Sequence, residues 1–262
     1  MEIITNLPDK IGPTQVSLKK KGDFHMLELT HYIPILTTLL AITFSVTLYR
    51  HWRSKPSALY LLWWLIGVVM YGIGTLTESL NTLIGWNPVI LKVWYIAGAL
   101  LGAAPLAQGT VYLILKKQTA DRLALGVTIF TAIASIFIIL TPIDTMLVAD
   151  GRLLTGKVFV WSWVRLFSPF LNLYALAFLV GGAGWSAWEY FKRNGYGSRV
   201  LGNVLIATGA LLPGIGGSFT RFGFIEALYV TEILGLALIW WGYVVMTKKK
   251  TESIYAAQRA VQ

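Results

Sequence analysis

The chain has 262 residues, of which 56% are hydrophobic and only 13% charged, with a formal net charge of +10 and no cysteine. Soluble domains carry about a quarter charged residues, so lipid must be part of this protein's solvent. The missing cysteine excludes disulfides, thiolate metal sites and a Cys nucleophile, and the basic excess lies in short clusters at the ends of apolar runs, which points to membrane orientation and excludes nucleic acid as partner.

Residues 1–28 are mixed in charge, with no apolar stretch before a small-residue cleavage site, so they read as an extracytoplasmic tail and not as a removable signal peptide. A helix must reach roughly 20 residues to cross about 30 Å of hydrocarbon. Seven stretches do so, at 29–49, 57–82, 88–115, 121–141, 158–189, 199–219 and 225–247. Alternating strand patterns of the barrel type are absent, and lipid offers no water to satisfy open backbone groups, so the expected fold is all-α: a polytopic seven-helix bundle over residues 29–247. Residues 248–262 form a second tail.

Orientation follows from the basic residues. Arg50, Arg53 and Lys55, then Lys116, Lys117 and Arg122, then Lys192, Arg193 and Arg199, then Lys248 to Lys250 fall on one side. The positive-inside rule makes that side cytoplasmic, with the N-terminus outside and the C-terminus in the cytoplasm of a multi-pass cell-membrane protein. Lys19 to Lys21 in the first tail count against this orientation, but every later loop alternates as the rule demands. Tyr and Trp near the segment ends, such as Tyr49, Trp86 and Trp188, suit the headgroup zone and read as anchors.

Charges inside the segments are costly and therefore informative. At about 1.5 Å per helical residue, Glu78 lies near the outer end of segment 2, Glu232 inside the outer leaflet on segment 7, and Arg165 roughly 10 Å below the outer end of segment 5. His31 opens segment 1 and Arg221 closes segment 6. All five gather in the outer half. They predict an outward-open polar pocket for a small or lipid-like ligand, in which Arg165 pairs with Glu232 or Glu78; a pair that only locks helix packing is the competing reading. Segment 6 carries Gly209, Pro213, Gly214, Gly216 and Gly217, which predicts a break bordering that pocket or, alternatively, close helix packing through small residues. Pro105 and Pro169 are further kink candidates, and Gly98 with Gly102 forms a small-xxx-small pair.

Several chemistries are excluded. Residues 223–247 hold no lysine for a retinal Schiff base, and the three histidines, His25, His31 and His51, lie at or beyond segment ends, which removes haem ligation and a His-based zinc site. No cofactor is expected. A Glu78–Glu232 carboxylate pair leaves acid–base chemistry as a minor alternative.

Trp63 and Trp64, then Gly74 and Glu78, then Trp94, Tyr95, Gly98 and Pro105 resemble the corresponding part of the seven-helix N-terminal sensor region of some bacterial sensor histidine kinases. The resemblance covers about a sixth of the chain. It implies a seven-helix architecture with an extracytoplasmic ligand pocket and, here, signalling through a membrane-protein partner. The functional expectation is a receptor-like or accessory protein. The alternatives are a small transporter of three-plus-one-plus-three design, for which an inner-half polar site is expected, and a structural subunit of a larger membrane complex.

Overall fold

The computed structural model describes residues 30–148, 154–194 and 197–259. The tail expected over 1–28 lies outside the described residues. Seven helices are long and apolar enough to cross a membrane: α1 (Ile33–Ser54), α2 (Leu59–Ile84), α3 (Pro88–Ile114), α4 (Lys117–Leu140), α5 (Ser162–Arg193), α6 (Ser198–Phe219) and α7 (Ile225–Thr247). Among the described residues there is no strand, only an isolated bridge between Ile143 and Phe159. The all-α expectation holds, and α7 continues as helix to Arg259.

Neighbours in sequence pack side by side, and α7 closes the bundle against both α6 and α1. Large apolar side chains remain on the outside, as in the stripe Leu125, Ile129, Ile133 and Ile136 of α4. That periodicity leaves one face of the helix without protein cover, which suits lipid contact.

The tightest contact joins α6 to α7. Gly202, Gly209 and Gly216 recur every seven residues on α6 and meet α7 in antiparallel register, Gly202 against Gly242, Gly209 against Gly235 and Gly216 against Leu228. A Cβ on Gly209 would fall 2.6 Å from the Gly235 carbonyl oxygen, and one on Gly242 2.5 Å from that of Gly202. Backbones approach this closely only where side chains are missing. The break expected in segment 6 is therefore corrected: α6 is helical throughout from Ser198 to Phe219 with Pro213 inside it. The Pro213 ring lies over Gly235, where a Cβ would meet its Cδ at 2.9 Å. Of the two readings, close packing is the one found.

The irregular helix is α3. It is α-helical over Pro88–Trp94, widens to a π-helix over Tyr95–Leu100, loses helical structure at 101–103, and restarts over Ala104–Ile114. Pro105 has no N–H to give to the Leu101 carbonyl, which Ala104 N takes up instead at 3.2 Å. Leu101 N reaches back five residues to the Ile96 carbonyl at 3.0 Å. Pro169 causes no comparable break, because it sits in the first turn of the α-helical stretch Phe167–Ala175, where an N–H is dispensable.

Candidate functional site

Two glycines place the site. Gly74 of α2 lies against Gly98 of α3, where a Cβ on Gly74 would be 3.1 Å from the Gly98 Cα. The helices are antiparallel, so the residue four beyond Gly74 and the residue four before Gly98 lie one turn further toward the same end. These are Glu78 and Trp94, and the Trp94 indole N–H donates to Glu78 Oε1 at 2.9 Å. Glu78 is 3% exposed, a burial that an acidic side chain rarely shows without partners.

α7 supplies the second carboxyl. Tyr71, two turns before Glu78 on α2, donates its hydroxyl to the main-chain carbonyl of Glu232 at 3.0 Å and so pins α7 against α2. That bond brings Glu232 of α7 to the face of α2 that also carries Glu78, seven residues on. The second oxygen, Oε2, of each carboxyl is buried and receives no hydrogen bond from any donor. Tyr229, one turn before Glu232, lies within electrostatic reach of both carboxyls and is 6% exposed. His31 meets Tyr229 edge to face, ring centroids 5.8 Å apart, while its main-chain carbonyl accepts from the Thr82 hydroxyl at 3.1 Å. Three helices, with the segment that precedes α1, thus meet around the two acids at the end of the bundle marked by Trp86.

No described cation neutralises it. The ion pairs among the described residues are Lys117 with Asp121 and Arg193 with Glu189, both at the opposite end. The expected pairing of Arg165 with Glu232 or Glu78 is corrected: Arg165 is exposed, and its Nε donates to the Ser162 carbonyl at 3.2 Å. The reason is where the helix begins. α5 starts at Ser162 with a 3₁₀ turn over Ser162–Leu166, so Arg165 belongs to the first turn and not to the helix interior. Arg221 falls in a short 3₁₀ segment, Thr220–Phe222, after α6, and its side chain lies outside the described residues. The structure thus brings together Glu78, Glu232 and, through Tyr229, His31, and leaves Arg165 apart.

Sequence reasoning missed Tyr71 and Trp94 as partners of the carboxyls. The signal for Trp94 was its one-turn offset from Gly98, matching that of Glu78 from Gly74; for Tyr71 no comparable signal exists.

A second polar cluster occupies the other half. Gln108, fully buried just beyond the α3 break, donates Nε2 to the Ala120 carbonyl at 3.0 Å and accepts from the Tyr174 hydroxyl. Tyr112 donates to Asp121 Oδ1 at 2.8 Å. An enclosed apolar void of only about 10 Å³, lined by Phe44, Trp64, Leu106, Ile206 and Tyr243 among others, lies in the central core. A shallow groove of about 270 Å³ runs beside Trp185, Tyr190 and Arg193. Neither is lined by Glu78 or Glu232.

No family model, curated protein or solved structure matches the chain.

Proposed function

We propose that the chain is a multi-pass cell-membrane protein, receptor-like or accessory, that takes a small or lipid-like ligand from the outer side, with Glu78 and Glu232 as the polar centre of its site. The observation that carries this reading is a pair of acids on facing helices, Glu78 buried and Glu232 partly buried, each with its Oε2 atom buried and unbonded, and with no described cation beside them. A packing lock would be built from opposite charges or from apolar residues, since like charges in low dielectric oppose the contact that holds them. Two acids placed together instead favour a positively charged partner that arrives from outside. Gly74, Glu78, Trp94 and Gly98, which carry the resemblance to bacterial sensor regions, are also the residues that build this centre.

The test is thermal unfolding of the purified full chain with ethanolamine, choline or phosphatidylethanolamine as probes. At least one should raise the melting temperature of the wild type and leave the Glu78→Gln/Glu232→Gln variant unmoved. If all three leave the wild type unchanged, the reading fails.

One feature favours the transporter alternative, with three helices on either side of α4. α3 is unwound at 101–103 between the acidic centre and the Gln108 cluster, and irregular backbone at that depth is tolerated where it lines a pathway or is buried in protein. Uptake of labelled ethanolamine or choline into proteoliposomes, lost on Gln108→Leu, would favour it over the receptor.

A further inference from the structure

We infer that the groove between the ends of α3 and α5 binds the headgroup of an anionic phospholipid, with Lys192, Arg193 and Arg199 as its cationic rim. The site lies at the opposite end of the bundle from Glu78 and Glu232 and does not depend on the reading given to them.

Packing makes the groove. Gly182 lets α5 lie against α3, where a Cβ on it would be 3.0 Å from Thr110 Cγ2 and 3.3 Å from Ile114 Cδ1. α3 ends at Ile114, whereas α5 runs on to Arg193, roughly 16 Å of helix beyond Gly182. The overhang leaves one side of α5 open, and Ile114, Trp185, Ser186, Glu189, Tyr190 and Arg193 line the resulting space of about 270 Å³. The five α5 residues fall on one face of the helix.

The groove changes character along its length. Ile114 and Trp185 make the end nearer the middle of α5 apolar, and Trp185 is 66% exposed. Glu189, Tyr190 and Arg193 make the other end polar. A phospholipid has the same gradient, from acyl ester to phosphate, and an indole at that boundary suits the interfacial zone. A free phosphate has no use for the apolar end.

The cations are held in place at the polar end. Lys192 Nζ lies 4.8 Å from the centroid of the Trp188 ring, over its face. The Arg199 guanidinium, which comes from the start of α6, lies 5.0 Å from the Tyr190 ring centroid and donates to the Tyr190 hydroxyl at 3.3 Å. Side chains already fixed on aromatic rings lose less rotamer freedom when an anion arrives. Glu189, the acid that lines the groove, is bonded to Arg193. Neither Lys192 nor Arg199 has an acid partner among the described residues. The turn after Ile114 adds Lys116, while its neighbour Lys117 is paired with Asp121. Charge complementarity therefore calls for an anion, and basic pockets between helices at a membrane surface take phosphate headgroups.

Native mass spectrometry of the full chain, incubated in detergent with equal amounts of phosphatidylglycerol and phosphatidylcholine of the same acyl chains, tests this. The wild type should retain phosphatidylglycerol at least about fivefold over phosphatidylcholine, the preference that a single surface cation would give. Lys192→Gln/Arg199→Gln should abolish that preference. Arg53→Gln/Lys55→Gln, which removes as much charge from exposed positions at the end of α1, should keep it. Trp185→Ala should weaken phosphatidylglycerol retention with every charge intact. Equal retention of the two lipids by the wild type overturns the proposal, and so does equal loss of preference in both charge variants, which would make it a property of the whole basic surface. Displacement of the lipid by an equimolar amount of glycerol 3-phosphate would show a soluble-phosphate site and overturn it as well. Hydrogen exchange of the wild type locates the site without any variant: phosphatidylglycerol, and not phosphatidylcholine, should slow exchange at residues 186–193, and protection confined to other segments counts against the groove.

Discussion

Gly209 of α6 and Gly235 of α7 face each other so closely that a Cβ on either would lie 2.6 Å from the other's carbonyl oxygen. With Gly202 against Gly242 one pair of turns further along, the contact fixes the register of α7 and therefore where Glu232 lies beside α2, whose Tyr71 bonds its main-chain carbonyl.

Substituting at this seam should be costly. Gly209→Val and Gly235→Val are each expected to lose about 1–3 kcal/mol or more of stability, because the clashing atoms are backbone and cannot rotate away. Gly214→Ala and Gly217→Ala, whose Cβ would meet nothing within 4 Å, should change it by less than about 0.5 kcal/mol. Fluorescence-monitored thermal unfolding in detergent separates the two groups. Equal effects at all four positions would mean that helix propensity, and not close packing, governs α6.

The seven helices were legible because the hydrocarbon thickness imposes a length that few other structures share. The place of the irregular helix was not. In α6 the glycines that matter recur every seven residues, which keeps them on one face and marks a contact; counting Gly and Pro without that phase suggested a break. In α3, Gly98, Gly102 and Pro105 are spaced by four and three, and there the helix gives way. Depth along the helices singled out Glu78 and Glu232 but says nothing of the face a side chain takes, and α5 begins four residues later than its apolar run, which removed Arg165 from the interior.

Lys92 closes the end of α4. Its Nζ donates to the carbonyls of Ile139 at 2.6 Å and Thr141 at 2.9 Å, groups that the helix itself leaves without donors. Lys92→Met should cost about 1 kcal/mol through loss of these bonds and of a cation near a helix C-terminus. Hydrogen exchange should quicken at residues 137–141 in particular; unchanged protection there would show that water replaces the ammonium without loss.

The proposed orientation can be checked without a structure. A cysteine at Ser17 should react with a membrane-impermeant thiol reagent in intact cells, and one at Thr251 should not, since the background protein has no cysteine. The reverse labelling would turn the bundle over and place Glu78 and Glu232 near the cytoplasm.

The last prediction concerns what each carboxyl does for the other. An amide at either position keeps the shape of the acid, removes its charge and adds an N–H donor among the buried acceptors. Glu232→Gln should therefore be tolerated, with stability equal to or above that of the wild type, and the same holds for Glu78→Gln provided its carbonyl oxygen still accepts from Trp94. Glu232→Leu removes the partner and leaves Glu78 buried with one oxygen unbonded, which costs on the order of 1–3 kcal/mol. Adding Glu78→Leu to that background removes the stranded group as well, so the double variant should be more stable than the sum of the single losses implies. Arg165→Leu, by contrast, should cost little, since the guanidinium is exposed and its bond among the described residues is to the Ser162 carbonyl. Melting temperatures of these variants in one detergent give the comparison. Additive losses at Glu78 and Glu232, or a large loss at Arg165, would show that the two acids act independently and that the charge balance of the bundle is set elsewhere.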